Sequence, residues 1–439
     1  PIERSARRAE RSTGGLSLSG EGVASDRLEP VPIRAPRLLA FDLEAGGHHA
    51  SYLHYLIGRA ALAGRAGNLA LAITPDLPRK HPALAVRAAE AGVSIHETGP
   101  RPLLPPALSP RLRGPLALAD LALAEWRALT SAAVQARSTH AVAMYFDRLL
   151  MPLALGARPP VPVSGIYFRP TFHYGAFGGA DSDWRERLRW ARQLALVWRA
   201  LKNPGLGTLF CLDPFAVEHL RRLGPEGQKA RVLADPVHVD PVPEDATAAL
   251  RARAGIDSGR HVFLLFGVIT SRKGIPRVLR ALESLAEEDA TRTTVVIVGA
   301  VDPNFRPVLE AAVATARSRT RAQIVVHDAF APDAEGPVWF ALADTVLVPY
   351  ERHVGSSGIL IRAAAGERPV IADGYGLVGA QVARYELGLA VNTSEPAELA
   401  RALTSAIRGQ VRADPRGQRT FASSNRPEVF ADALLGLIT

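Results

Sequence analysis

The sequence has almost no cysteine: Cys211 is the one residue in 439. Internal disulfides are excluded, and the composition suits a reducing cytoplasm. Within "GTLFCLD" the thiol reads as a buried strand residue. Lysine is nearly as scarce, with Lys80, Lys202, Lys229 and Lys273 the four lysines among 52 Lys+Arg. No uncharged apolar run reaches about 18 residues, which argues against a membrane-spanning helix. No charged-then-apolar signal segment opens the chain. The histidines are too scattered for a metal site, and no short-period repeat is present, so a solenoid is excluded.

What is present is ordinary in bulk. At 439 residues and 47% hydrophobic content the chain is long enough for two or three domains with separate cores. The net charge is +9. A nucleic-acid partner would need a concentrated basic stripe with interleaved aromatics. The arginines are instead scattered beside carboxylates, as in "DWRERLRW", so no nucleic acid is expected. Anionic substrates or peripheral contact with an acidic membrane suit the charge equally well.

Residues 1–36 lack hydrophobic periodicity and read as a disordered leader. From Arg37, strand-length apolar runs ("RLLAFDL", "LALAIT", "VSIHET", "HAVAMYFD", "VSGIYFR", "TLFCLD") alternate with helical stretches. One helix is expected from about Ser51 to Arg65 and another over "DWRERLRWARQLALVWRAL". "DPVHVDPVPEDAT" breaks the pattern with three prolines. A second alternation follows through "HVFLLFGVI", "TTVVIVGA", "AQIVVHDAF", "DTVLVPY", "RPVIAD" and "GLAVN". Alternation of this kind predicts α/β architecture with parallel, doubly wound sheets. The expected division is an N-terminal Rossmann-like domain over 37–237 and a linker over 238–247. A C-terminal Rossmann-like domain follows over 248–410, then a helical tail over 411–439 that packs back on the first domain. Such sheets bind ligands beyond the carboxyl ends of their strands, so two facing domains enclose a cleft.

Three loops sit at those ends. In "DLEAGGHHASY", Gly46 and Gly47 let backbone N–H groups approach an anion at a helix N-terminus. The third glycine of the dinucleotide fingerprint is missing, and a plain tight turn is the other reading. His48 adjoins the turn. In "GVITSRKGIP", Gly267 ends a strand, and Arg272 and Lys273 precede a helix where a phosphate would sit. Lysine is a compact point charge that bridges several phosphate oxygens, whereas arginine imposes a planar fork. That distinction explains why an arginine-preferring sequence keeps a lysine here, although solvated surface charge is the alternative. In "VPYERHVGSSGIL", Ser356, Ser357 and Gly358 offer a second cradle of N–H groups, or an N-cap. Glu351 and His353 stand beside it. "DSD", Asp181 to Asp183, has metal-pair spacing but reads as a helix N-cap.

Together these stretches resemble the glycosyltransferase family 4-like enzymes of the GT-B fold. "AGGHHASYL" looks like that family's first glycine-rich loop. "FGVITSRKGIPRVLRAL" is similar to its donor-binding arginine–lysine segment. "DAFAPDAEGPVWFALADTVLVPYERHVGSSGILIRAAAGERPVIAD" follows its signature region. Val268 replaces the arginine that usually follows the strand-end glycine. The two glutamates usual in the family, eight residues apart, fall near His353 and at Arg362, and the residue eight after Glu351 is Ile359.

The resemblance implies a glycosyltransferase that moves a hexose-type sugar from a nucleoside diphosphate-sugar to a glycan, lipid or small-molecule acceptor. It further implies a metal-independent reaction, usually retaining, with no cofactor. Lys273 and Arg272 are expected to stabilise the departing diphosphate. Gly46, Gly47, His48, Gly267, Glu351, His353, Ser356, Ser357 and Gly358 are expected on the donor. Arg169 and His173, in "GIYFRPTFHYGAFGG", are candidates for acceptor contact, and His173 equally reads as structural. Asp147 is a candidate base. A catalytically lapsed binding relative and a nucleotide-sugar epimerase of the same shape are the alternatives.

Overall fold

Thirteen short strands form two all-parallel sheets in the computed structural model, which describes residues 36–103, 114–177, 183–332 and 335–438. The expected leader falls on residues 1–35, outside the described residues, as does Asp181. The first sheet is built from β1 (Leu38–Asp42), β2 (Leu69–Ile73), β3 (Ser94–Glu97), β4 (His140–Ala143), β5 (Val163–Tyr167), β6 (Leu206–Cys211) and β7 (Ala230–Val232). Their spatial order is β3-β2-β1-β4-β5-β6-β7. The second sheet contains β8 (His261–Phe266), β9 (Thr293–Val298), β10 (Gln323–His327), β11 (Thr345–Val348), β12 (Val370–Asp373) and β13 (Gly388–Val391). Their order is β10-β9-β8-β11-β12-β13.

Every residue of β1, β2, β5 and β9 is buried. Continuous apolar runs such as "LLAFD" therefore mean what they mean in other parallel sheets, namely helices covering both faces. Two apolar clusters flank the first sheet and two flank the second. The edge strand β7 has no counterpart in the sequence reading. It is three residues long with two of them exposed, so it leaves no hydrophobic pattern.

Eight helices frame the functional surfaces of the molecule: α1 (His49–Leu62), α2 (Pro115–Gln135), α3 (Leu150–Ala154), α4 (Trp184–Lys202), α5 (Ile275–Leu282), α6 (Gly358–Ala365), α7 (Pro415–Ser424) and α8 (Pro427–Leu435). The first begins two residues before the expected Ser51, because Asp42 holds the His49 ring and draws that residue into the first turn. Helix α4 starts where Asp183 accepts the Glu186 N–H at 2.7 Å, an N-cap as the sequence suggests. After α7 places Phe421 in the second sheet's core, the chain crosses back. Helix α8 then buries Phe430, Ala431, Leu434 and Leu435 against Tyr52, Leu53 and Leu56 of α1. Full burial of Phe430 alone contributes about 1.5–3 kcal/mol. Residues Pro36–Thr439 accordingly form one compact unit.

Candidate active site

Each sheet reverses its strand order at one point, β1/β4 in the first and β8/β11 in the second. Ligands of parallel sheets sit beyond the carboxyl ends of strands at such points. The loops leaving β1, β4, β8 and β11 all contribute to one cleft of about 670 Å³. The first sheet's side supplies Glu44, His48, His49, Tyr52, Tyr145, Phe168 and Arg169. The second supplies Arg272, Lys273, Tyr350, His353, Ser356, Ser357, Gly358 and Arg362.

Lys273 is buried yet faces this cleft. Its ammonium donates to the Phe266 carbonyl at 2.8 Å and the Tyr350 hydroxyl at 3.0 Å. Two of three N–H donors are thus used. Gly267 makes room for it: a Cβ there would lie 3.3 Å from Lys273 Nζ, on a backbone with φ of 96°. Gly274 then turns the chain tightly into α5, where any Cβ would strike the Pro349 carbonyl at 2.0 Å. Arg272 Nη1 donates to His353 Nδ1 at 3.2 Å, and His353 Nε2 donates to the Ser356 carbonyl at 3.1 Å. These partners assign a neutral imidazole protonated on Nε2. Burial is the main cause that pulls the His353 pKa down to about 4, with the charges of Arg272, Lys273 and Arg169 acting in the same direction. Three cations from both sides of the cleft therefore surround a histidine that carries no charge.

Among the described residues, none of Arg169, Arg272, Lys273 and Arg362 forms an ion pair with a carboxylate. The acids of the cleft are engaged elsewhere. Glu44 accepts from Arg148 Nη2 at 2.8 Å. Asp235 accepts from the Tyr52 hydroxyl on one oxygen and the Ser356 hydroxyl on the other, both at 2.5 Å. Its own N–H donates to Asn425 Oδ1 at 2.9 Å. Asp235 thereby links α1 of the first sheet to the loop that opens α6. Unpaired cations beside the N-terminus of α6 form a site prepared for an anion carrying more than one charge.

Several expected residues do not line the cleft. Glu351 turns away to Arg277 Nε at 3.0 Å, because its N–H is fixed on the Arg272 carbonyl. His173 is buried among Phe172, Tyr174 and Phe177, 3.0 Å from Asp213. The chain turns inward after Pro170 and carries it below the surface. Asp147 spends its two oxygens on the N–H groups of Phe168 (2.9 Å) and Arg169 (3.1 Å), and burial raises its pKa to about 6. It braces the loop that carries Arg169. Gly46 and Gly47 are exposed just ahead of His48 and outside the lining, while Gly267 acts through Lys273. Ser357 caps α6 by accepting the Leu360 N–H at 3.4 Å.

Sequence reasoning missed Asp235, Tyr52, Tyr145 and Phe168. Asp235 opens the Pro-rich stretch that runs into the linker, and Tyr52 fits the apolar stripe of α1, so neither carried a chemical signature. His49 sits on Asp42 at 2.8 Å. This pair of buried groups pins the glycine turn to the end of β1.

With this geometry in view, residues 260–408 match the family described as Glycosyl transferases group 1. None of the curated proteins matches the chain. HepE of Anabaena, solved in complex with UDP, is 14% identical at a TM-score of 0.58, over 91% of this chain and 97% of its own. WaaG, a glycosyltransferase involved in lipopolysaccharide biosynthesis, is 16% identical at a TM-score of 0.57, over 91% and 100%. Sucrose-phosphate synthase of Thermosynechococcus elongatus is 17% identical at 0.57, over 92% and 95%. The fold is GT-B, and the stretch that matches the group 1 glycosyltransferase model lies in its second half.

Proposed function

We propose that this glycosyltransferase moves a hexose-type sugar from a nucleoside diphosphate-sugar to an acceptor, without a divalent metal and with retention of configuration. The observation that carries the reading is the set of unpaired cations, Arg169, Arg272 and Lys273, gathered around the neutral His353. A departing diphosphate gains negative charge as the glycosidic bond breaks. Fixed cations and the backbone N–H groups at Ser357 and Gly358 stabilise that charge without reorganising. HepE is solved with UDP and with UDP-glucose, which makes these the first probes to try. We place the donor on the second domain, residues 248–410, and the acceptor on the first, residues 37–237. Asp147 holds Arg169 toward the cleft, and closure about the linker at 238–247 excludes water. Among the described residues no helix is long and apolar enough to cross a membrane. The buried Cys211, its thiol pKa pushed up by burial, suits a cytoplasmic protein.

One observation favours a second reading. Among the described residues the second sheet's side of the cleft contains no carboxylate, since Glu351 faces Arg277 and Arg362 stands in α6. A relative that binds nucleotide without transferring sugar would look like this. Thermal shift with UDP, GDP and UDP-glucose tests binding, and slow release of glucose from UDP-glucose tests chemistry. Binding without any release or transfer favours the second reading. No stabilisation by any nucleoside diphosphate overturns both.

A further inference from the structure

Helix α4 carries six basic residues (Arg185, Arg187, Arg189, Arg192, Arg199 and Lys202) against a single acid, Glu186. Glu186 is itself paired with Arg352 at 3.1 Å. Among the described residues Arg185, Arg189, Arg192 and Arg199 form no ion pair. The same outward face exposes large apolar groups: Trp184 is 69% and Leu188 53% exposed. Its inner face is tied down, because Val197, Ala200 and Leu201 sit in the first sheet's core.

The helix does not stand alone. Helices α2, α3 and α4 cover one face of the first sheet and share one apolar cluster. At the start of α2, Leu116 is 66% and Leu118 64% exposed. Both α2 and α4 are crossovers in a parallel sheet, α2 leaving β3 for β4 and α4 leaving β5 for β6. Crossover helices begin at the carboxyl ends of the strands they leave. The exposed Trp184, Leu188, Leu116 and Leu118 therefore lie at the cleft end of this layer. The Glu186–Arg352 pair holds α4 beside the His353 loop, and Gln193 of α4 accepts the Thr171 N–H at 2.8 Å while donating to the Arg169 carbonyl at 2.8 Å.

We propose that this face docks on an anionic lipid bilayer, so that the mouth of the cleft opens at the membrane surface. Cations with interspersed aromatic and leucine side chains suit an interface where headgroups are charged and the layer beneath is apolar. A nucleic-acid surface would satisfy the arginines and leave the leucines of two helices in water. The docking stands apart from the transferase reading; only its consequence, that the cleft meets a membrane-borne substrate, rests on it.

The test is flotation of the full chain with vesicles of phosphatidylcholine plus phosphatidylglycerol, and with pure phosphatidylcholine. Binding is expected to the anionic vesicles only and to weaken with salt. The triple variant Arg185→Glu/Arg189→Glu/Arg192→Glu should lose roughly 100-fold or more in partitioning, at about fivefold per charge near an anionic leaflet. Trp184→Ser/Leu188→Ser should weaken binding while leaving its salt dependence in place. The UDP-induced thermal shift should be unchanged in both variants, which certifies folding and reports separately on the nucleotide site. As a measure independent of those variants, anionic vesicles should blue-shift the tryptophan emission, and Trp184→Phe should remove that increment. Equal binding to neutral vesicles, no binding at all, variants that bind like the parent, or tight binding to RNA that vesicles do not compete would each overturn the proposal.

Discussion

Replacing Lys273 by methionine separates the charge from the volume. The ammonium uses two hydrogen bonds, to Phe266 O and the Tyr350 hydroxyl, and no carboxylate compensates it among the described residues. Burial without a counter-ion costs the ligand-free protein stability. Lys273→Met should therefore leave the melting temperature of the free protein unchanged or slightly higher. The cost should fall on the nucleotide. A charge-assisted hydrogen bond to a phosphate is worth about 1.5–3 kcal/mol, which corresponds to a Kd raised about 10–150-fold. At a UDP concentration near 100 times the parent Kd, ligand stabilisation is about 2.7 kcal/mol. A 100-fold weaker site retains only about 0.4 kcal/mol under the same conditions. At about 2 °C per kcal/mol, a shift of roughly 5 °C shrinks to roughly 1 °C. Differential scanning fluorimetry with a UDP titration reads this directly. A Lys273→Met protein that keeps the full UDP shift would refute the assignment of Lys273 to the diphosphate. A variant that melts well below the parent without ligand would refute the claim that the ammonium is held at a cost.

The same geometry sets other outcomes. Burial holds the pKa of His353 and of His140 at about 4, below the ordinary 6.5, so the unfolded chain takes up protons first as pH falls. Stability contributed by these neutral rings is complete above pH 6.5 and lost toward pH 4, and His353→Gln should flatten that part of a urea-denaturation profile. The Asp147 carboxyl, raised to about 6, acts oppositely and loses stability as pH rises through that value. Asp235→Ala strands the Tyr52 and Ser356 hydroxyls and should cost about 1–3 kcal/mol per group in chemical denaturation. Combined with Tyr52→Phe the loss should be less than additive. Gly274→Ala sets a Cβ against the Pro349 carbonyl on a backbone with φ of 64°. It should destabilise by more than about 1 kcal/mol and weaken UDP binding together, since it displaces Lys273.

Much of the second sheet's side of the cleft was legible because its signals are local. A buried strand, a glycine, two cations and a helix start lie within residues 261–282, and the sheet places Lys273 where the pattern puts it. "GSSG" before an apolar helix is equally local, and Ser356, Ser357 and Gly358 line the cleft. The failures share a cause. Glu351, His173 and Asp147 were chosen for standing near strand ends, yet each has a partner distant in sequence or on the backbone that turns its side chain elsewhere: Arg277, Asp213 and the Phe168–Arg169 amides.

Alternating apolar runs, their length and the turns between them determined two parallel α/β sheets, because hydrophobic periodicity acts residue by residue along the chain. Which side chains meet across the gap was decided by tertiary structure alone. Asp235 reaches Tyr52 across 183 positions and Ser356 across 121. The charge of Arg169 comes to act on the imidazole that Arg272 contacts only because two separately wound sheets present their reversal points to each other. A carboxylate or guanidinium has no preferred partner in sequence; its orientation is set by the charges and donors that folding brings within a few ångströms.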